Sequence, residues 1–142
     1  MRIEIPETLD EWNARGADFL PGHLGLVFDK VDADEVVGRF EVRQPLRSWN
    51  GFLHAGAVVT LADTCCGYGT LKNLPDDANG FTTIDLNSNF LGTALEGEVV
   101  CSATPLHLGR TTQVWDASVV SAATGRRMAQ FRCAQMILRP KG

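Results

Sequence analysis

The chain contains 142 residues, of which 44% are hydrophobic and 21% are charged, and its formal net charge is −4. This length and composition fit one globular domain and exclude a disordered chain, and the acidic balance argues against general nucleic-acid binding. The apolar stretch 51–71 contains His54, Asp63 and four glycines, so it does not read as a membrane span. The first residues carry acids and no apolar run, which argues against a signal peptide and predicts a cytoplasmic protein without a membrane partner.

Cysteine usage indicates reduced thiols rather than a disulfide framework or a metal centre. The sequence has no CxxC pair and no histidine at a metal-ligand spacing, so we expect neither a metal nor a cofactor. Cys65 and Cys66 are adjacent, and adjacent side chains on a helix diverge by about 100°. We therefore predict buried free thiols at positions 65, 66, 101 and 133.

The first forty residues predict one helix and two strands. Thr8 followed by Glu11 forms a capping-box pattern, and Pro21-Gly22 is expected to end the helix, which gives a helix over 8–20. Strands are predicted over 26–31 and 36–42, the second with clean alternation of apolar and polar residues. A polar loop over 45–52 follows.

The rest of the chain predicts one apolar helix and four strands. The helix covers 55–71, and after a turn-rich linker the strands cover 81–90, 97–107, 111–120 and 128–138. Only this helix is apolar nearly all round, so a long antiparallel sheet wrapped around it satisfies the order of elements. The sequence predicts an α+β fold and a single domain over 1–142, with a helical segment 1–23 and a core 24–138.

Asp63 is the one acid between Trp49 and Leu74, in the middle of the helix that should be most buried. A buried carboxylate costs several kcal/mol unless it is paired, so its presence needs a reason. A structural role, in which the acid caps a neighbouring loop, is the alternative to a catalytic one. We favour general-base or nucleophile chemistry, because the residues within about 60° of the acid are mostly small and leave room for a ligand: Gly56, Val59, Thr60, Cys66, Gly67 and Thr70.

The start of this helix is a second candidate site. Free N–H groups of Ala55 and Gly56 and the positive end of the helix dipole favour a developing oxyanion there. Asp63 follows Ala55 by eight residues, about 12 Å along the axis, whereas a reacting carbonyl must lie about 3 Å from each catalytic partner. If both groups act on one carbonyl, they come from different subunits. The sequence therefore predicts a homodimer with two composite sites.

Two segments carry a resemblance to a known family. Asn50-Gly-Phe-Leu-His54-Ala-Gly56 followed by Asp63 resembles the HGG-x(6)-D/E segment of hotdog-fold acyl-CoA thioesterases of the phenylacetate-pathway type. Residues 83–91 are similar to the [ST]-x-[DE]-x-x-x-N-[FY]-[LM] strand of that family, and 107–110 and 123–130 resemble its last hairpins. The resemblance covers about 24–138. It implies a hotdog fold, dimers that often pair into tetramers, and hydrolysis of an acyl-CoA thioester.

The resemblance also assigns roles to individual residues. Asp63 matches the catalytic acid, and Ala55 replaces the glycine whose N–H is the oxyanion donor. His54 matches the active-site histidine, although a purely structural role in fixing the loop stays open. Thr83 matches the hydroxyl residue that places the attacking water, with Thr82 as the competing choice because adjacent strand residues face opposite ways.

Substrate contacts are less fixed by the pattern. The family often carries Asn or Gln six residues before the histidine, where this chain has Ser48, so either Asn50 or Ser48 orients the water or the thioester. Phe52 and Val59 are candidate pocket residues that suit aromatic or medium acyl groups. The last 42 residues hold one acid against six bases. We expect Arg110, with Arg126 or Arg127 in the neighbouring turn, to clamp the phosphates of coenzyme A.

Two other functions are compatible with the same fold. A non-catalytic acyl-CoA-binding or regulatory hotdog module would bind the ester without turning it over. A hotdog dehydratase ranks last, because its histidine and acid lie in a proline-containing pattern that this sequence lacks. The favoured hypothesis is an acyl-CoA thioesterase in which Asp63 is the nucleophile or the general base.

Overall fold

A computed structural model describes residues 3–142; residues 1 and 2, the start of the predicted helical segment, lie outside the described residues. The elements in chain order are α1 (Leu9–Arg15), α2 (Leu20–His23), β1 (Val27–Val31), β2 (Val36–Glu41), a 3-10 turn (Gln44–Leu46), α3 (Ala55–Lys72), β3 (Gly80–Phe90), β4 (Glu98–Leu108), β5 (Thr112–Ser121) and β6 (Arg127–Leu138). Across residues 3–142, no helix is long and apolar enough to cross a membrane.

The six strands form one antiparallel sheet in the order β1-β2-β4-β5-β6-β3. Helix α3 packs on one face of this sheet and contacts all six strands. This arrangement confirms the predicted α+β fold, in which a long sheet wraps around one central helix with a short helix before it. The strand and helix boundaries of the core agree with the sequence expectations to within two residues.

The N-terminal helix differs from the prediction. The capping box of Thr8 and Glu11 forms as expected, but the helix ends at Arg15 instead of reaching residue 20. Pro21 then lies in the first turn of the separate helix α2. Proline fits a first turn because that position needs no N–H donor and its backbone angle is already helical, so Pro21 begins a helix rather than ending one.

Close contact between α3 and the sheet depends on small residues. A side chain at Gly69 would place its Cβ 2.4 Å from the Trp115 indole, and one at Gly38 would lie 2.9 Å from the sulfur of Cys65. An interior helical glycine costs about 1 kcal/mol relative to alanine. Here Gly69 lets the fully buried Trp115 of β5 pack directly on the helix backbone. All four cysteines are buried free thiols, as predicted.

Candidate active site

His54 caps the start of α3 with its own imidazole. Its Nδ1 accepts a hydrogen bond from the Gly56 N–H at 2.7 Å, and its carbonyl accepts from the Ala57 N–H at 3.0 Å. Because Nδ1 accepts, the ring proton of a neutral His54 is on Nε2. A Cβ at position 56 would lie 2.9 Å from the same Nδ1, so a larger residue there would displace the capping imidazole.

This cap changes the expected oxyanion site. The sequence offered two free amides, but the Gly56 N–H is already bonded to His54. Within residues 3–142 the Ala55 N–H has no hydrogen-bond partner, so the helix start presents one amide rather than two. His54 thus fixes the geometry around Ala55. This is the structural role of His54 that the sequence allows as an alternative to a catalytic role.

Asp63 lies half-buried in the middle of α3. Its Oδ1 is shielded from solvent and accepts no hydrogen bond from the described part of the chain. Burial raises the pKa of this carboxyl above its ordinary value of 3.8, because desolvation disfavours the charged form. The hydroxyls of Thr60 and Thr64 do not satisfy it, since they donate to the carbonyls of Gly56 and Thr60. The carboxylate therefore caps no loop, unlike the structural alternative considered from sequence.

The unsatisfied carboxylate lies on the side of α3 that faces β3. Gly67 follows Asp63 by one helical turn, and the Phe81 ring of β3 comes within 3.2 Å of where a Gly67 Cβ would be. In sheet order β3 is the last strand, so this side of the helix is open at the sheet edge. Asp63 is separated from Ala55 by about 12 Å along the axis, as the helical rise dictates.

Strand register decides between Thr82 and Thr83. Thr83 pairs with Gln135, which is fully buried on the helix-facing side of β6, whereas Thr82 pairs with the exposed Met136. The Thr83 hydroxyl donates to Gln135 Oε1 at 2.7 Å. Thr83 is therefore the inward-facing threonine, and a bulge between Thr83 and Asp85 turns Asp85 outward.

In the loop before α3, Asn50 and Ser48 form hydrogen bonds within the loop itself. Asn50 Oδ1 accepts from the Phe52 N–H at 3.2 Å, so this amide oxygen stabilises its own turn. The Ser48 backbone belongs to the same turn, through an N–H bond to the Phe52 carbonyl at 2.7 Å. Phe52 is half exposed, and Val59 packs against the core from the helix.

A cleft of about 220 Å³ lies beside the start of α3. Neither Phe52 nor Val59 lines it. Its lining instead includes residues that sequence reasoning missed, such as Leu24 and Arg47. Neither has a local signal, because the cleft forms only when the segment after α2 folds back against the loop and the helix. Arg47 also donates to the Leu95 carbonyl at 2.5 Å, which ties this loop to the segment that precedes β4.

The expected arginine clamp does not form within one chain. Arg110 lies in the turn between β4 and β5, whereas Arg126 ends the turn between β5 and β6 and Arg127 is the first residue of β6. Consecutive turns of an antiparallel meander fall at opposite ends of the sheet, and the ten residues of β5 span about 33 Å. One coenzyme A phosphate cannot contact both turns. Arg126 and Arg127 share the sheet end of Arg47 and the α3 start; Arg110 lies near Asp77 at the other end.

Comparisons with known proteins agree with this architecture. The sequence profile of the thioesterase superfamily matches residues 50–130. A 1,4-dihydroxy-2-naphthoyl-CoA hydrolase of Listeria monocytogenes is 28% identical over 110 residues, which cover 78% of this chain and 88% of the relative.

Two solved thioesterases have the same fold over nearly their whole length. A mutant thioesterase of Pseudomonas aeruginosa is 25% identical, with a TM-score of 0.88 and coverage of 96% of this chain and 97% of its own. A thioesterase of Haemophilus influenzae is 26% identical, with a TM-score of 0.86 and coverage of 98% and 96%.

Proposed function

The chain belongs to the thioesterase superfamily and is a thioester hydrolase, and we propose that it cleaves a small acyl- or aryl-CoA thioester to a carboxylate and CoA. The relative from Listeria monocytogenes is named for an aryl-CoA ester, which supports this substrate class. The proposed reaction uses water, side chains and a backbone amide, and it needs no metal or cofactor.

The observation that carries the proposal is the unpartnered carboxylate of Asp63. A half-buried acid without a hydrogen-bond donor or a counter-charge is a stronger base than an exposed one, because burial raises its pKa. It can take a proton from water or attack the carbonyl itself. In the first route a C–O bond forms from water, the C–S bond breaks, and the proton taken by Asp63 passes to the leaving thiolate.

The oxyanion of the tetrahedral intermediate is assigned to the helix start. The Ala55 N–H has no partner in the described residues and lies at the positive end of an 18-residue helix. His54 supports this role by capping Gly56 and holding the first turn in place. An alanine supplies the same backbone donor as the glycine usual in the family.

A composite site requires two chains. Ala55 and Asp63 of one chain are too far apart for one carbonyl, so we place the Asp63 of one subunit beside the Ala55 of its partner. The edge strand β3 supports a pairing of two copies, because its exposed side chains include Ile84, Leu86 and Phe90, at 51%, 44% and 47% exposure. Such dimers can assemble further into a tetramer.

Thiol release from a panel of short, medium and aryl acyl-CoA esters tests the function and its substrate class together. We expect Asp63→Asn to lower kcat/KM about 10²- to 10⁴-fold, the range for loss of a general base. Asp85→Asn is the matched control, since this second acid points away from the helix on β3, and it should retain activity.

The pH profile adds a signature of the same group. Hydrolysis needs the deprotonated Asp63, so the rate should fall as the pH drops through its pKa, at an acid limb above the ordinary value of 3.8. Near-normal hydrolysis by Asp63→Asn would contradict the mechanism. Tight binding of the esters without turnover by the unmodified protein would instead favour a binding module.

A further inference from the structure

Two glutamines face each other on the inner side of the sheet, but only one has all its polar groups satisfied. Gln113 of β5 donates to the Asn73 carbonyl at 3.0 Å and accepts from the Trp115 indole N–H at 2.9 Å. Gln135, its partner on β6, accepts from Thr83, while its Nε2 finds no partner in the part of the chain that the structure describes. Both side chains are buried, at 1% and 0% exposure. Gln113 therefore links β5 to the end of α3. The side chain of Gln135 instead bonds to Thr83 of β3.

Thr83 lies at the level of Asp63 along α3. The chain turns back after α3, so β3 runs in the opposite direction to the helix, and Phe81 contacts Gly67. Moving back one turn from Gly67 to Asp63 covers about 6 Å of helix. Moving on two residues from Phe81 to Thr83 covers about 6.6 Å of strand in the same direction. The Thr83 hydroxyl and the Asp63 carboxylate thus flank the same space at the sheet edge.

The hydrogen bond to Gln135 determines which hydrogen-bonding groups of Thr83 remain available in that space. A threonine hydroxyl has one proton and two lone pairs. Its proton is given to Gln135 Oε1 at 2.7 Å, so only lone pairs remain for the Asp63 side.

We propose that Gln135 is a positioning residue that, by taking the Thr83 hydroxyl proton, makes Thr83 a pure acceptor for the attacking water. This inference rests on the proposed thioesterase function. A water held between two acceptors gives one proton to Asp63 and directs the other to Thr83, which leaves an oxygen lone pair for the thioester carbonyl. The O–C bond forms as Asp63 takes the first proton, and the C–S bond then breaks to release the thiolate. The arrangement selects water activation over direct attack by Asp63.

The kinetic test compares Gln135→Met with Gln113→Met. Each substitution removes one buried amide, and the two residues pair across the neighbouring strands β5 and β6. Gln135→Met should lower kcat about tenfold to a hundredfold with KM within about twofold, since misorientation of a reacting group has effects of this size. Gln113→Met should destabilise the fold but leave kcat within about twofold. Thr83→Val should match Gln135→Met, Thr83→Ser should retain activity, and the double variant should be no worse than Thr83→Val alone.

A second measurement does not depend on activity. In Gln135→Met the freed Thr83 proton can point into the space shared with Asp63 and donate toward it through the intervening water, which stabilises the carboxylate and lowers its pKa. Carbon-detected NMR titration of the Asp63 carboxyl should therefore shift to lower pH in Gln135→Met. It should not shift in Gln113→Met or in the double variant with Thr83→Val.

The outcomes separate this inference from the function on which it rests. If Asp63→Asn is inactive while Gln135→Met and Gln113→Met have equal kcat and equal Asp63 titrations, the positioning role is wrong and the thioesterase proposal stands. Additive losses in the double variant would also overturn the role. If the unmodified protein releases no thiol from any ester, or if Asp63→Asn is fully active, both proposals fall.

Discussion

The two edges of the sheet are built in opposite ways. At the β1 edge, Asn13 of α1 pairs with the Phe28 backbone, accepting from its N–H at 2.8 Å and donating to its carbonyl at 3.0 Å. Strand β1 is five residues long, has a bulge, and carries Asp29 and Lys30 in ion pairs. Short, bulged, charged and covered edges are those on which further strands do not add.

The β3 edge is protected only near its start, where it has a bulge between Thr83 and Asp85. It is eleven residues long and exposes large apolar side chains, of which Leu86 faces the helix side of the sheet. A long apolar edge in a stable protein is expected to meet a partner. The contrast supports the proposed pairing of two copies through β3, which is the edge that Asp63 faces, whereas β1 terminates the sheet.

The largest expected effect comes from placing a charge on the β3 edge. Leu86→Lys would bury an ammonium in the proposed subunit contact, so it should convert the dimer to a monomer and lower thioester hydrolysis at least about 100-fold. Val27→Lys on β1 is the matched control, because Val27 is similarly exposed, at 38% against 44%. Sedimentation and thiol release measure both effects. An active dimer of Leu86→Lys would contradict the proposed pairing.

Mixed dimers test whether pairing of two subunits also brings Asp63 of one subunit to Ala55 of the other. Asp63→Asn removes the proposed base, and Ala55→Pro removes the proposed donor at a first helical position where proline is tolerated. Each variant alone should be nearly inactive. A refolded equal mixture should recover about one quarter of wild-type activity, since half the dimers are mixed and each holds one intact site.

No recovery in the mixture, with mixed dimers demonstrated by differential tagging, would show that Asp63 and Ala55 do not act across the interface. The control mixture of Asp63→Asn with itself should stay inactive throughout.

A smaller effect is expected at the β1 edge. Asn13→Leu leaves two backbone groups of Phe28 without their partner, which should lower the free energy of unfolding by about 1–3 kcal/mol. Denaturant unfolding measures this loss. Because Asn13 is far from Asp63, kcat and the oligomeric state should not change, and a change in either would mean that the two edges are coupled.

Sequence reasoning recovered the core of the fold because its patterns are local. The apolar stretch after residue 54 predicts α3 almost to the residue, clean alternation predicts β2, and turn residues delimit the later strands. Asp63 was evident as an acid inside an apolar helix, and the pattern also pointed to Thr83, although only strand register excluded Thr82.

What was missed depends on contacts that a linear pattern does not contain. The His54 cap on Gly56 arises from one imidazole rotamer, so the loss of the second amide could not be read in advance. The prediction of an arginine clamp did not take into account that consecutive turns of a meander lie at opposite ends of the sheet. Gln135 had a readable signal, since it interrupts the inward apolar series of Phe131, Cys133 and Ile137 on β6.

The burial of the four thiols has a practical consequence for the thiol-release assays. Burial raises the pKa of the Cys65 thiol. A hydrogen bond between Cys66 and Cys133, together with burial, raises the pKa of the Cys66 thiol. Thiols of this kind remain protonated at neutral pH and react slowly with disulfide reagents. A chromogenic disulfide therefore reports CoA released from the ester with little background from the folded enzyme, and a rising background marks unfolded protein in the same cuvette.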